Sequence, residues 1–343
     1  MLTLPIRCDI FCRVIDNLGD AGVAWRLARQ LAVEHAWQVR LWIDDPRPIE
    51  GFAPGQRCVT VLRWPAEFPA VAAADVVIEA FACDLPPRYL AAMKQRAQAP
   101  VWLNLEYLSA EDWVVGCHGL PSPQEGLQKF FFFPGFVPGT GGLLRERDLA
   151  VPPAPSLGAQ WEVSLFCYEN PQLPALLSAW RDGVRPMRCH VCAGWPQRQV
   201  AVWLGEEFAT GSEIQRGALT LIALPFLTQP DYDALLARCD VNFVRGEDSF
   251  VRAQWAERPF VWQAYPQAEG AHLAKLEAFL KLYTCDDVVK RFFFAWNGVG
   301  PLVWPAFAAR LPALAAAAPH WAKKIAAPGD LATNLVNFCQ ARL

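Results

Sequence analysis

The feature that most constrains this chain is the interleaving of two periods. Apolar stretches of strand length at residues 7–14, 38–43, 58–64, 75–81 and 101–108 alternate with stretches of helical pattern, clearest at 20–35 and 86–98. Strands joined through helices run parallel, and their sheet carries the helices on its faces. From 130 to 155 the pattern fails, because Phe130-Phe131-Phe132-Phe133-Pro134-Gly135-Phe136-Val137-Pro138-Gly139-Thr140-Gly141-Gly142 is too rich in Gly and Pro for a regular element. The alternation then restarts, with strands at 161–168, 187–193, 219–224, 241–244 and 260–264 and helices at 171–182, 230–239, 248–257 and 271–283. Beyond 292 the chain reads as helix. A length of 343 residues also exceeds the usual reach of one core. The expectation is therefore two Rossmann-like domains, 1–155 and 156–329, with a terminal helix at 330–343 crossing back onto the first by analogy with folds of this type.

Several classes of function are disfavoured at once. Apolar residues make up 53% of the chain, but 29 Pro and 22 Gly interrupt them, and no run reaches the roughly 18 residues of a membrane span. No membrane partner is expected. Arg7 and Asp9 fall where a signal peptide would need its apolar stretch, so export is not expected either. Eleven cysteines lie scattered without framework spacing, as reduced core thiols do, which points to the cytoplasm. With 31 Lys+Arg against 34 Asp+Glu the net charge is −3, which supplies no basic field for direct nucleic-acid binding.

Two Rossmann-like halves facing one cleft describe the GT-B architecture of many nucleotide-sugar transferases, and also paired-domain dehydrogenases and binding proteins. The choice must come from residues just after strands, where α/β sheets bind ligands. The first such turn is Ile15-Asp16-Asn17-Leu18-Gly19-Asp20-Ala21-Gly22. Its ordinary reading is a helix start with Asp20 as cap. Acids where a dinucleotide fingerprint would seat pyrophosphate argue against that fingerprint, and the mouth suits a cation. The second turn, Val244-Arg245-Gly246-Glu247-Asp248-Ser249, opens a helix in the second half. Backbone N–H groups, the helix dipole, the Ser249 hydroxyl and the Arg245 charge together suit a diphosphate. The competing reading is an acidic helix start with Arg245 on the surface. After strand 161–168, Phe166 and Tyr168 share a face. After strand 219–224, Phe226 and Gln229 offer a ring and an amide fit for a pyrimidine, with Tyr232 a lesser stacking candidate.

Other strings are decoys. In Cys189-His190-Val191-Cys192, Cys189 points opposite to His190 and Cys192, and no complementary pair follows, so core is expected. Asp231-Tyr232-Asp233 resembles a metal-binding acid pair but opens a helix. Asp44-Asp45 ends a strand and is expected to be solvated. His35, His118, His272 and His320 lack a nucleophile partner.

The segment Asp9-Ile10-Phe11-Cys12-Arg13-Val14-Ile15-Asp16-Asn17-Leu18-Gly19-Asp20-Ala21-Gly22-Val23, followed by Trp25-Arg26-Leu27-Ala28, resembles the opening of the EarP family, arginine rhamnosyltransferases of elongation factor P. Arg245-Gly246-Glu247-Asp248-Ser249-Phe250-Val251-Arg252-Ala253-Gln254-Trp255 resembles that family's donor-binding segment. Leu103-Asn104-Leu105-Glu106-Tyr107-Leu108-Ser109, the stretch 130–142 and Trp262-Gln263-Ala264-Tyr265 extend the likeness over nearly the whole chain. Leu18 and Ala21 stand where Phe and Ile are expected, a departure that leaves the acids in place. The resemblance implies an inverting GT-B transferase that uses no metal and no cofactor. It would move L-rhamnose from dTDP-β-L-rhamnose to an arginine of elongation factor P, activating that factor for rescue of ribosomes at polyproline. It further implies Asp20, Asp16 and Glu247 as the catalytic set. Arg245, Glu247, Asp248, Ser249, Tyr168 and Tyr265 would surround the diphosphate and sugar, with Phe166, Phe226 and Gln229 at the thymidine. The alternatives are a GT-B transferase with another acceptor, such as a lipopolysaccharide sugar, and a non-catalytic binder of a translation factor.

Overall fold

The computed structural model describes residues 5–16, 18–150 and 158–343, and the expected domain boundary at 155 lies outside them. The chain divides into two compact units, one of residues 1–149 with 325–343 and one of residues 150–324.

The first unit holds a seven-stranded sheet. Its strands are β1 (Arg7–Cys12), β2 (Gln38–Ile43), β3 (Thr60–Arg63), β4 (Val76–Ala80), β5 (Val101–Leu105), β6 (Pro121–Gln124) and β7 (Leu127–Phe132). The order is β3-β2-β1-β4-β5-β7-β6, parallel except for the β6–β7 hairpin. Residues alternate between two buried faces, as a covered parallel sheet requires. Cys8, Ile10 and Cys12 pack with Ala24, Leu27 and Leu31 of the helix Gly19–His35 and with Leu335 and Val336 of the helix Leu331–Gln340. Phe11 packs on the other face with Trp42, Phe68, Tyr89 and Trp102. Asp9 shares that face fully buried, with both carboxylate oxygens held by Arg40 at 2.5 Å and a further bond from the Tyr89 hydroxyl.

One expectation fails here. Phe130, Phe131 and Phe132 are not irregular but lie in β7, paired with Leu103, Asn104 and Leu105 of β5. Four consecutive Phe carry no alternation from which a strand can be read. The Gly-rich stretch beyond serves close packing. A Cβ on Gly142 would stand 2.2 Å from the Gly329 carbonyl oxygen, and the Asn334 amide donates to the Gly141 carbonyl at 3.0 Å. This is the bed on which the returning C-terminal segment lies.

The second unit repeats the plan with β8 (Trp161–Leu165), β9 (Met187–Val191), β10 (Glu213–Arg216), β11 (Leu219–Ala223), β12 (Val241–Arg245) and β13 (Phe260–Gln263). The order is β10-β11-β9-β8-β12-β13, with only β10 antiparallel. Numbering the parallel strands of each unit in chain order gives 3-2-1-4-5-6 in the first sheet and 3-2-1-4-5 in the second. The connectivity reverses beside β1 in the first and beside β8 in the second, and ligands of open α/β sheets bind outside the carboxyl ends at such switch points.

Candidate functional sites at the two switch points

In the first unit, the turn after β1 carries Asp16 and Asp20. Asp20 is the second residue of the helix Gly19–His35, whose N-cap, Leu18, makes no side-chain cap bond. Asp20 does not cap its own helix. Its Oδ2 reaches back over the turn and accepts the Ile15 and Asp16 N–H groups, both at 2.9 Å, and the Tyr107 hydroxyl donates a third bond. The side chain is buried at 3% exposure, and both backbone bonds fall on one of its two oxygens. A short carboxylate in the first helical turn finds unsatisfied loop N–H groups closer than water. Burial pushes its pKa up from the ordinary carboxylate value, as does the nearby Asp44 charge, while the three hydrogen bonds oppose the rise. A carboxylate offers about four acceptor positions, so three bonds leave room for one more partner.

Asp16 is half-buried, and its carboxylate lies against the Gly19 Cα, where an added Cβ would fall 2.5 Å from Asp16 Oδ2. Asp44, at the end of β2, is more than a solvated residue. Its Oδ1 accepts the Val14 N–H at 3.0 Å and so fixes the exit of β1. Asp45 pairs with Arg47. The first switch point thus gathers Asp16, Asp20 and Asp44.

In the second unit, Arg245 ends β12 at 7% exposure, so it is not a surface residue. Its guanidinium lies over the rings of Phe166 and Tyr168, at 4.6 and 4.5 Å from the centroids, as a weakly hydrated planar cation can. Tyr265, just past β13, packs edge-on against Tyr168 at 5.5 Å. The helix Asp248–Trp255 starts here with Glu247 as N-cap, and Glu247 makes no side-chain cap bond to it. Ser249 closes the turn locally: its hydroxyl donates to the Arg245 carbonyl and accepts the Arg245 N–H at 3.1 Å. That hydroxyl must rotate before it can serve a ligand. Gly246 takes φ +63°, and its carbonyl accepts the Trp262 indole N–H at 2.7 Å. Gln229 begins the helix Gln229–Arg238, capped by the Thr228 side chain accepting the Asp231 N–H, and Phe226 is half-exposed before it. Tyr232 packs edge-on against Phe166 at 5.6 Å, within a cluster containing Leu235 and Cys192.

The structure brings Arg245, Ser249, Phe166, Tyr168 and Tyr265 together at the ends of β8, β12 and β13. The decoys have other employment. His190 Nε2 lies 2.6 Å from Glu162 between buried Cys189 and Cys192, and Asp233 is committed to buried Arg252 at 2.7 Å. Among the described residues no group of three or more His, Cys, Asp or Glu is arranged to hold a metal ion.

Sequence reasoning did not single out Tyr107, Phe81 or Gln263. Gln263 accepts the Tyr168 N–H at 2.9 Å and donates to the Glu169 carbonyl, pinning the exit of β8. All three sit at or just past strand ends, and the same after-strand search applied to every strand would have reached them.

The whole chain has well-matched relatives. Residues 8–340 match the family described as elongation-factor P (EF-P) rhamnosyltransferase EarP. A protein-arginine rhamnosyltransferase of Pseudomonas putida is 49% identical over 372 residues, covering 96% of this chain and 97% of the relative. One of Pseudomonas aeruginosa is 47% identical, covering 96% and 98%. A solved structure described as the structural basis for EarP-mediated arginine glycosylation of translation elongation factor EF-P is 35% identical, with TM-score 0.69, covering 98% of this chain and all of that one. The spinosyn rhamnosyltransferase SpnG, 10% identical with TM-score 0.54 over 97% of this chain and 99% of its own, shares the fold alone, which is GT-B. On the match across residues 8–340 and the kinship at near half identity, this chain belongs to the EarP family of elongation-factor P rhamnosyltransferases.

Proposed function

We propose that this transferase moves L-rhamnose from dTDP-β-L-rhamnose to an arginine side chain of elongation factor P, with inversion at the sugar and without a metal. One observation carries the reading beyond family membership: the two switch points have opposite polarity. The first gathers Asp16, Asp20 and Asp44 and suits a guanidinium. The second offers Arg245 beside a helix start and suits a diphosphate.

The chemistry limits what Asp20 can do. A guanidinium has a pKa above about 12 against about 3.9 for a free Asp, so removing its proton beforehand would cost about 12 kcal/mol. The proton must leave as the bond forms between the guanidinium nitrogen and the sugar C1, while the bond from C1 to the diphosphate oxygen breaks. Asp20 receives that proton, and its burial-raised proton affinity favours the transfer. Asp16 orients the planar fork. The electron pair of the broken bond goes to the departing dTDP, whose charge Arg245 and the helix start neutralise in the role a divalent cation would otherwise fill. Glu247, Asp248, Ser249, Tyr168 and Tyr265 contact the diphosphate and sugar, and Phe166, Phe226 and Gln229 the thymidine.

The test incubates the protein with dTDP-rhamnose and elongation factor P and seeks a deoxyhexose mass increment on one arginine. Nucleotide binding with no increment would sink the protein acceptor. Transfer that stops on adding a chelator and returns with a divalent cation would sink metal independence.

A further inference from the structure

The turn leaving β4 is the most contorted short segment of the first unit. Phe81, Ala82 and Asp84 take φ of +60°, +52° and +54°, the left-handed region, and none is glycine. Such conformations persist only where the surroundings impose them. The Phe81 N–H donates to the Leu105 carbonyl at 2.7 Å, and the Ala82 N–H to Asn104 Oδ1 at 3.0 Å. The Asp84 N–H donates to Glu79 Oε1 at 3.0 Å, and the Cys83 thiol to the Phe11 carbonyl at 3.3 Å. Asn104 and Glu79 are each 1% exposed, in strands otherwise filled with Val, Ile, Leu and Trp. Polar side chains at such positions oppose folding unless their bonds are needed; here they tie the turn to the ends of β4 and β5, the Cys83 thiol ties it to β1, and Glu79 also pairs with Lys129 at 3.2 Å.

What the turn presents is the Phe81 ring. It stacks on Tyr107 with centroids 4.3 Å apart and planes 14° from parallel. Tyr107 lies two residues past β5, half-buried, and its hydroxyl donates to the Asp20 carboxylate. The backbone bonds both fall on one oxygen, Oδ2, and the phenol adds the side-chain bond that completes the set. We propose that Tyr107 is a positioning residue for Asp20, with Phe81 on the left-handed turn as its mount, so that the stacked phenol fixes the base's carboxylate for proton transfer. The proposal rests on the reading of Asp20 as the base.

The groups facing Asp20 set the direction of the effect. From β1 there is the buried Cys12 thiol, from β2 Asp44, from its own turn Asp16, and from beyond β5 Tyr107. Of these described groups, the Tyr107 hydroxyl and the Ile15 and Asp16 N–H groups favour the anion. Removing the hydroxyl raises the proton affinity of Asp20 and moves the acid limb of the rate profile to higher pH.

The experiment compares the wild type with Tyr107→Phe, which keeps the ring, and Phe81→Leu, which keeps the hydroxyl but removes the ring behind it. The Asp20 carboxyl carbon is titrated by NMR, assigned by its absence in Asp20→Asn, and rhamnosyl transfer is followed against pH. Tyr107→Phe is expected to move both the carboxyl midpoint and the acid limb upward, with kcat about tenfold lower and the nucleotide-sugar KM unchanged. Phe81→Leu should move both in the same direction by less. A midpoint unmoved in Tyr107→Phe overturns the proposal. A midpoint that moves while the acid limb stays put shows instead that Asp20 is not the base, and leaves Tyr107 with a structural bond only.

Discussion

At the scale of single residues, the Asp16-to-Asp20 turn separates stability from activity. Burial raises the pKa of Asp20, so the folded chain binds that proton more tightly than the unfolded chain. For such a group the charge opposes folding at neutral pH, and the opposition is relieved as pH falls through the folded pKa. Asp20→Asn removes the charge and keeps an oxygen for the Ile15 and Asp16 N–H groups. Its Tm should therefore lie near the wild type while transfer is lost and thymidine-nucleotide affinity is kept, as melting, mass and titration measurements will read. Gly19→Ala probes Asp16 in the same way. Gly19 is not at positive φ, and the atom its Cβ would meet is the carboxylate end of the Asp16 side chain rather than backbone, so a side-chain rotation relieves the clash. The carboxylate is what moves. Transfer should fall about tenfold through the acceptor KM with Tm unchanged, and normal kinetics would show that Asp16 needs no fixed place. Both acids were legible in the sequence because they follow a strand directly. The Tyr107 bond to Asp20 was not, because it joins residues 87 positions apart through the adjacency of β1, β4 and β5.

At the scale of elements, the parallel strands other than β7 could be read and the antiparallel β6 and β10 could not. β10 is a four-residue polar edge strand, Glu213-Ile214-Gln215-Arg216, and polarity is how edges avoid further pairing, so the device hides the strand. β6 begins with Pro121 and holds Pro123, residues tolerated only at an edge. Several expected strands also ran too long. Residues 13–14 lie beyond the end of β1, the Val14 N–H being satisfied by Asp44 rather than by a neighbouring strand. The turn after β12 was legible as a possible anion site, but its support from β13 was not. Trp262 stacks on Phe250 at 4.0 Å while its indole N–H holds the Gly246 carbonyl. Trp262→Phe keeps a ring and leaves that carbonyl unpartnered, which should cost about 1–3 kcal/mol in urea unfolding. A turn loosened at Gly246 should also weaken thymidine-diphosphate binding, measured by calorimetry. Lost stability with unchanged nucleotide affinity would mean that the turn does not hold the nucleotide.

At the scale of the whole molecule, the chain closes on itself: residues 325–343 belong to the unit that holds residues 1–149. Leu331, Ala332, Leu335, Val336 and Cys339 are buried in the core built by β1 and the helix Gly19–His35, and the Gln30 amide donates to Asp330 at 3.0 Å. Three of these side chains are large aliphatics worth roughly 1.5–3 kcal/mol each on full burial, so the segment contributes on the order of 5 kcal/mol or more. That is comparable with the entire stability of an ordinary domain. The Gly-rich stretch read from the sequence only as a break is the site where this return is admitted. Gly142 combines φ +76° with a Cβ position 2.2 Å from the Gly329 carbonyl oxygen, and neither backbone can yield without parting the segment from its bed. Gly142→Ala should therefore act as a local truncation. The first unit is expected to lose about 3 kcal/mol or more and to melt ahead of the second in calorimetry, with transfer to the acceptor lost at that lower transition. Thymidine-nucleotide binding, assigned to the second unit, should survive until the upper transition. A single unshifted transition in Gly142→Ala would show that the C-terminal return does not hold the first unit together.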